Sequence, residues 1–384
     1  MFLDKSIASD FRGVINSSQI FSKSDKLKEK YNLICVVMDR VDSAVDYLNN
    51  HSDFPETEES FICFLVYACM IKDAVSKLYE SVYLKKPEYA TQKMCFSDVK
   101  QYGKLVFTDE TCPTDDMFFE YLRSMAFAHP FQTDKRGRPF IDNGEKQYCP
   151  WVIVDGNVVG IRVYTSSQKF VIQDITFSFD NLKEYIKIRY EHLKELTAWA
   201  KEEIIGQNEE WSKHKVNRSD DVFETIASIR EIYVERFFDT FVVDEIERYL
   251  KCEVTIANNI DNVNKYRNAL EDSVMKICDA LDNVEECDLC SATDEVFARP
   301  RIAHQMMHYQ LEKILCYLND DCDYWDRQWG LKQARLFANE FAKRWVRFDF
   351  ETMSDDEIKL TTLTACYLEA KEQESKTERD LRLK

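Results

Sequence analysis

The apolar residues of this chain recur at two different intervals, and this change of interval constrains the fold more than any other feature. Over residues 31–50 they recur every three or four positions, as on one face of an amphipathic helix. Over residues 151–179 they alternate or form short β-branched runs, which is typical of strands. From residue 180 onward the helical interval returns. The sequence therefore predicts a mainly helical protein with one small internal sheet.

Two long helices are predicted in the N-terminal part. The first covers residues 31–50, and the second runs from about Glu56 to Tyr83 through the most apolar stretch of the chain, residues 61–71. These 11 residues are fewer than the roughly 18 that a membrane-spanning helix needs, so they predict a buried helix. A shorter helix is predicted to start at Thr114 or Asp115 and to end near residue 129.

The strand-forming region predicts a three-stranded antiparallel meander with turns at "DGN" and "SSQK". Three strands with one apolar face need neighbouring helices to pack on. We therefore predict a helical domain over residues 1–148, the meander at 149–180 packed on it, and a second, all-helical domain, a C-terminal bundle, over 181–384. The chain has only 8 glycines and 7 prolines, which favours long helices.

Charge and cysteine content restrict the class of function. A formal net charge of −18 repels polyanions, so an RNA site must be a local basic patch. The 13 cysteines are scattered rather than densely spaced, which predicts reduced thiols in a cytoplasmic protein. No membrane contact is expected, because the longest apolar stretch is too short to span a bilayer. We find no glycine-rich phosphate loop and no nucleophile elbow, so nucleotide-dependent enzymes are disfavoured and no cofactor is expected.

The stretch "YLRSMAFAHP" places Arg123 six residues before His129. A histidine can move a proton from a ribose 2′-hydroxyl or to a leaving oxygen, and an arginine can bind the phosphate and stabilise its developing charge. Three arginine–histidine pairs share this type of spacing, whereas chance gives about one, so the spacing by itself is weak. The other two pairs are Arg299 with His304 and Arg301 with His308.

Context distinguishes the first pair from the other two. Arg123 and His129 follow two long helices, lie on a short capped helix and precede Pro130. A loop after the proline contains basic residues that can contact phosphate groups in an otherwise acidic chain. These residues are Lys135, Arg136 and Arg138.

This arrangement resembles the HEPN superfamily, helical domains whose signature is an arginine and a histidine separated by four to six residues. The resemblance covers about residues 25–135. It implies a metal-independent endoribonuclease, often a toxin or antiviral defence effector, whose site forms where two such domains pair. Arg123 would then hold the scissile phosphate and His129 would act as acid or base, with Ser124 at a position that is commonly asparagine. The implied partners are RNA and a second copy or another protein.

A non-catalytic protein is the competing interpretation. It would bind a protein or RNA partner, while Arg123 and His129 would only cap the end of their helix and pack against its neighbours. Lys72 and Asp73 are polar residues within the second long helix. They are candidates for supporting groups of the site; the alternative is that they mark the solvent-exposed edge of the helix.

Three further regions allow other chemistry. The stretch "RPRIAHQMMHYQLEK" could form a second, degenerate arginine–histidine half, and its His304, His308 and Glu312 share a helix face that could bind a metal. A lone "CDLC" lacks the second cysteine pair of a zinc site, so no metal is expected. The aromatic stretch "KRWVRFDF" predicts core or oligomer contacts, with contact to a single nucleic-acid strand as the alternative.

Overall fold

The computed structural model describes residues 2–101, 103–108, 110–132, 146–166, 172–301, 307–319 and 321–382. The predicted phosphate-contact residues Lys135, Arg136 and Arg138, and the candidate His304, lie outside these ranges. The chain divides into two compact units, Met1–Gly206 and Gln207–Lys384. Compact units are not the same thing as separately folding domains, so the predicted boundaries at residues 148 and 180 stay predictions.

The first unit combines long helices with a small antiparallel sheet. Its α-helices are α1 (Lys5–Asn16), α2 (Ile20–Lys23), α3 (Lys28–Asn50), α4 (Glu58–Tyr83), α5 (Asp115–Arg123), α6 (Phe179–Glu191) and α7 (Leu193–Trp211), which extends past Gly206. Its strands are β1 (Lys100–Gln101), β2 (Lys104–Leu105), β3 (Gln147–Tyr148), β4 (Val152–Asp155), β5 (Val158–Thr165) and β6 (Ile172–Ser178). A 3₁₀ turn covers Glu88–Thr91.

The sheet is organised around β5. One edge of β5 pairs with β6, and the other edge pairs first with β4 and then with β3, all antiparallel. The short β1–β2 hairpin adds to the far edge of β6. The predicted small antiparallel sheet is confirmed, and β4, β5 and β6 form its meander. The two-residue strands β1, β2 and β3 are too short to show an alternating pattern, so the sequence did not predict them.

Helix packing in this unit follows the apolar stripes. The predicted stripe of α3 is buried along its whole length, and α3 packs against α4. Thr57 begins α4 with a capping box, in which its side chain accepts from Ser60 N and Ser60 caps in return. The sheet packs on α5 through aromatic side chains, since Phe177 of β6 contacts Phe118 of α5 at a ring-centroid distance of 5.6 Å. Phe177 also contacts Phe96, which precedes β1, at 5.4 Å.

All regular elements described in the second unit are helical. They are α8 (Val222–Glu235), α9 (Phe241–Lys251), α10 (Ile260–Asn283), α11 (Glu286–Ser291), α12 (Met307–Tyr317), α13 (Tyr324–Glu340) and α14 (Asp355–Arg382), with 3₁₀ turns at Ala257–Asn259 and Ala342–Arg344. The helical periodicity continues over residues 220–252, but the structure has two helices there, because Phe237 has a φ of +65° and separates α8 from α9. A buried Arg236 stabilises this break by donating to the carbonyls of Trp211, His214 and Leu281.

In the part of the chain that the structure describes, no helix combines the length and the apolarity that crossing a bilayer requires.

Candidate active site

Helix α5 carries the predicted arginine at its last residue. The helix begins at a cap, where Thr114 Oγ1 accepts a hydrogen bond from Met117 N at 3.2 Å. Asp115 follows and is buried, and its carboxylate accepts from the backbone N–H groups of residues 94–96 at 2.9 to 3.3 Å. These bonds satisfy a carboxylate that would otherwise be costly to bury, so the start of the helix is firmly placed.

A π-helical turn, Ser124–Ala128, lies between Arg123 and His129. The turn closes with a hydrogen bond from His129 N to Ser124 O at 2.7 Å, and His129 then leaves the helix with φ −142° and ψ 51°. Single π turns inside helices are frequent at functional sites. The predicted short helix therefore does extend to His129, but its last turn is wider than an α-helix.

The three predicted motif residues differ in exposure. His129 is exposed, and 33% of the Arg123 side chain is exposed. Ser124 is buried, with 3% exposed, which places it beneath the turn rather than on its surface. The turn therefore presents the histidine to solvent and leaves the arginine partly accessible.

Two carboxylates lie close to the Arg123 guanidinium. Its Nη1 is 3.4 Å from Glu120 Oε2 and 3.6 Å from Asp73 Oδ2. Both distances exceed the usual 2.7–3.2 Å of a direct N–H···O hydrogen bond, so charge rather than directional bonding holds the group. Burial lowers the pKa of Arg123, but the charge of Glu120, the neighbouring Cys69 and the charge of Asp73 raise it, and the net direction is upward.

Lys72 completes this charged cluster. Its ammonium pairs with Glu120 and lies 3.1 Å from Asp73 Oδ1, and only 15% of the side chain is exposed. Burial lowers the pKa of Lys72, whereas the hydrogen bond to Glu120 and the charge of Asp73 raise it, with a net upward shift. Burial raises the pKa of the neighbouring Cys69 thiol to about 12. The cluster thus holds two cations, two carboxylates and a neutral thiol.

The sequence identified only part of this cluster. Lys72 and Asp73 were candidates for supporting groups, whereas Glu120 and Cys69 were not. Glu120 precedes Arg123 by three residues on one helix face, and this pairing could have been read from the sequence. Cys69 reaches the site only because α4 packs beside α5, a contact that no local pattern specifies.

The second arginine–histidine region is described in part. Arg299 and Arg301 are exposed, and the backbone of Arg301 is held by Gln373 of α14 through bonds of 2.8 and 3.2 Å. His308 is the second residue of α12, with Nε2 3.4 Å from Pro300 O. In the described residues no group of three or more His, Cys, Asp or Glu side chains is placed to bind a metal. His304, the predicted partner of Arg299, lies outside what the structure describes.

We compared the chain with protein-family models, with curated proteins and with solved structures, and found no match in any of the three. The chemistry of the site therefore has to be inferred from its own geometry.

Proposed function

We propose that this protein is a metal-independent endoribonuclease of the HEPN type that uses Arg123 and His129. The observation that supports this most is the π turn, which begins directly after Arg123 and ends at an exposed His129. An exposed imidazole can reach a substrate, and an arginine one-third exposed can bind a phosphate from the same helix end.

The proposed reaction is an internal transfer within RNA. His129 accepts the proton of a ribose 2′-hydroxyl, and the 2′-oxygen attacks the adjacent phosphorus. The bond from phosphorus to the 5′-oxygen breaks, and that oxygen takes a proton from the His129 of a second copy. The products are a 2′,3′-cyclic phosphate and a free 5′-hydroxyl. Arg123 binds the phosphate and stabilises the charge that develops on it.

Asp73 and Glu120 have a defined place in this proposal. They orient the guanidinium, but they also compete with the substrate phosphate for it, since both lie within 4 Å of Nη1. Removing one of these charges should make RNA binding tighter. We expect Asp73→Asn to lower the KM for RNA by up to about fivefold, the effect of one partly exposed ion pair.

The test is cleavage of single-stranded RNA in the presence of a chelator. We expect Arg123→Ala and His129→Ala each to reduce the rate by about 100-fold or more. This is the usual contribution of a group that stabilises developing charge, for Arg123, and of a general acid or base, for His129. Growth inhibition on expression should decline in parallel if the protein is a toxin or defence effector.

The chain offers matched controls for both substitutions. Arg12 is also 33% exposed and also pairs with two carboxylates, Asp39 and Asp42, and His51 is an exposed histidine. Arg12→Ala and His51→Ala should cleave like the wild type, and circular dichroism should show that all variants fold. Equal cleavage by the wild type and the two motif variants would contradict the assignment.

The second candidate is a non-catalytic binding module in which the arginine is structural. The same carboxylates favour it, because they already balance the charge of Arg123. This function predicts no cleavage by the wild type. It also predicts that Asp73→Asn leaves the affinity for RNA unchanged.

A further inference from the structure

The solvent-exposed face of α13 is a second surface with aromatic and basic side chains. Seven exposed residues of this helix fall within an arc of about 120°. They are Trp325, Gln328, Trp329, Lys332, Arg335, Leu336 and Asn339. This set contains two tryptophans and two cations, and it contains no acidic residue.

The helix is well anchored on its opposite face. Leu331, Ala334 and Phe337 are buried in the core of the second unit. At the N-terminus Asp323 Oδ1 accepts from the backbone N–H groups of residues 325 and 326, both at 2.8 Å. The exposed face is therefore presented by a fixed helix.

The stretch of sequence around this face is basic, although α14 pairs with part of it, Arg327 with Asp355 and Arg344 with Glu369 and Glu372. Residues 327–347 contain six basic residues and one acidic residue, a formal charge of +5, whereas the whole chain carries −18. Among the residues that the structure describes, Lys332 and Arg335 form no ion pair, unlike Arg327 beside them, which binds Asp355 at 2.7 and 2.9 Å. Two cations are thus free to bind an anionic partner.

Both cations lie over aromatic rings. The Lys332 ammonium is 4.9 Å from the centre of the Trp329 ring, and the Arg335 guanidinium is 5.3 Å from that of Phe350. Trp325 is 77% exposed, one helical turn before Trp329. Side chains four residues apart lie on the same face of a helix. Both indoles can therefore contact one strand, each with its own base.

We infer that this face binds single-stranded RNA, with bases stacking on Trp325 and Trp329 and phosphates on Lys332 and Arg335. Aromatic platforms beside cations are how proteins bind single strands without sequence preference. A protein partner is the competing occupant, since tryptophan and arginine are also enriched at protein interfaces. Lysine is depleted there, however, and Leu336 is the sole aliphatic residue of the seven, so we argue for the nucleic-acid strand. The choice of RNA over DNA rests on the proposed function, whereas single-strand binding itself does not.

Fluorescence anisotropy with a labelled 20-nucleotide RNA of mixed sequence tests the inference. The protein used is the full chain with the substitutions Arg123→Ala and His129→Ala, so that it does not cleave the RNA. Electrophoresis of the same sample verifies that the RNA is intact. The proposed cleavage can therefore fail while binding is still measured. Three variants are compared. The first combines Trp325→Ala and Trp329→Ala, the second carries Trp325→Phe alone, and the third combines Lys332→Gln and Arg335→Gln.

We expect the tryptophan pair of substitutions to weaken binding at least about fivefold, and Trp325→Phe to retain it. Replacing both cations should reduce the slope of log affinity against log salt concentration by about 1.4, the value for two phosphate contacts on a single strand. Lys251→Gln is the matched control. Lys251 also lies over an aromatic ring, that of Phe223 at 5.0 Å, but it is paired with Glu247 at 2.6 Å.

Several results would overturn the inference. Unchanged affinity in the tryptophan variant would exclude stacking, and an unchanged salt slope in the charge variant would exclude the phosphate contacts. Equal affinity for a duplex would exclude a single strand as the ligand. Equal affinity for a DNA strand of the same sequence would support single-strand binding and overturn the choice of RNA. Concentration-dependent self-association that Trp325→Ala abolishes, without RNA binding, would assign the face to a protein contact instead.

Discussion

At the scale of single residues, the most demanding feature is a fully buried arginine. Arg189 is inaccessible to solvent, and its Nε and Nη2 donate to Asp116 Oδ1 at 3.1 and 2.8 Å. Tyr185 donates to the same oxygen at 2.8 Å, and its ring lies 3.9 Å from the guanidinium. This group joins α6 to the first turn of α5. It therefore supports the helix that carries Arg123.

We expect Asp116→Ala to lower the free energy of unfolding by about 3–5 kcal/mol, because it leaves a buried cation without its partner. Urea denaturation followed by circular dichroism measures the change. Asp39→Ala is the control, since Asp39 also pairs with an arginine, Arg12, but is 75% exposed. That variant should lose less than about 1 kcal/mol. Equal losses in the two variants would show that burial does not set the strength of this ion pair.

At the scale of elements, the pairing of β5 with β6 depends on a glycine. A Cβ atom on Gly160 would lie 2.0 Å from the backbone oxygen of Ile175 on β6. Backbone atoms of a central sheet pair cannot move apart without losing ladder hydrogen bonds. Only glycine fits here, although its φ is not in the left-handed region.

We expect Gly160→Ala to destabilise the protein by about 3 kcal/mol or more, since the strands must separate. Thermal and urea unfolding measure this. Gly206→Ala is a matched control, because nothing lies within 4 Å of a Cβ at that helical position. It should raise stability by about 0.5–1 kcal/mol. A Gly160→Ala variant as stable as the wild type would contradict the close approach of β5 and β6.

At the scale of the whole molecule, the proposed chemistry needs a second copy. Phe131 is 88% exposed and lies two residues after His129, so a contact between two copies at the motif would cover it. We expect sedimentation equilibrium at micromolar concentration to give twice the 45.4 kDa mass of the chain. Phe131→Asp should shift the protein toward the monomer.

The control for that shift is another exposed phenylalanine. Phe241 is 65% exposed and lies at the start of α9, far along the chain from the motif. Phe241→Asp should remain dimeric. A wild-type protein that sediments as a monomer at all concentrations would remove the basis of the two-copy site.

The sequence by itself determined where the long N-terminal helices and the strands of the meander form. The α3 stripe, the extent of α4 and the meander at β4–β6 all followed from the spacing of apolar residues, because burial of one face requires that spacing. Local chemistry also marked Thr114 or Asp115 as the start of α5, and the structure has Thr114 as its cap.

Tertiary structure decided what surrounds each reactive group, because those neighbours come from distant parts of the chain. Asp73 and Cys69 reach Arg123 from α4, and Arg189 reaches Asp116 from α6. The π turn and the buried position of Ser124 likewise depend on how the end of α5 packs. Periodicity specifies which face of an element is buried, but charge pairing depends on which faces meet.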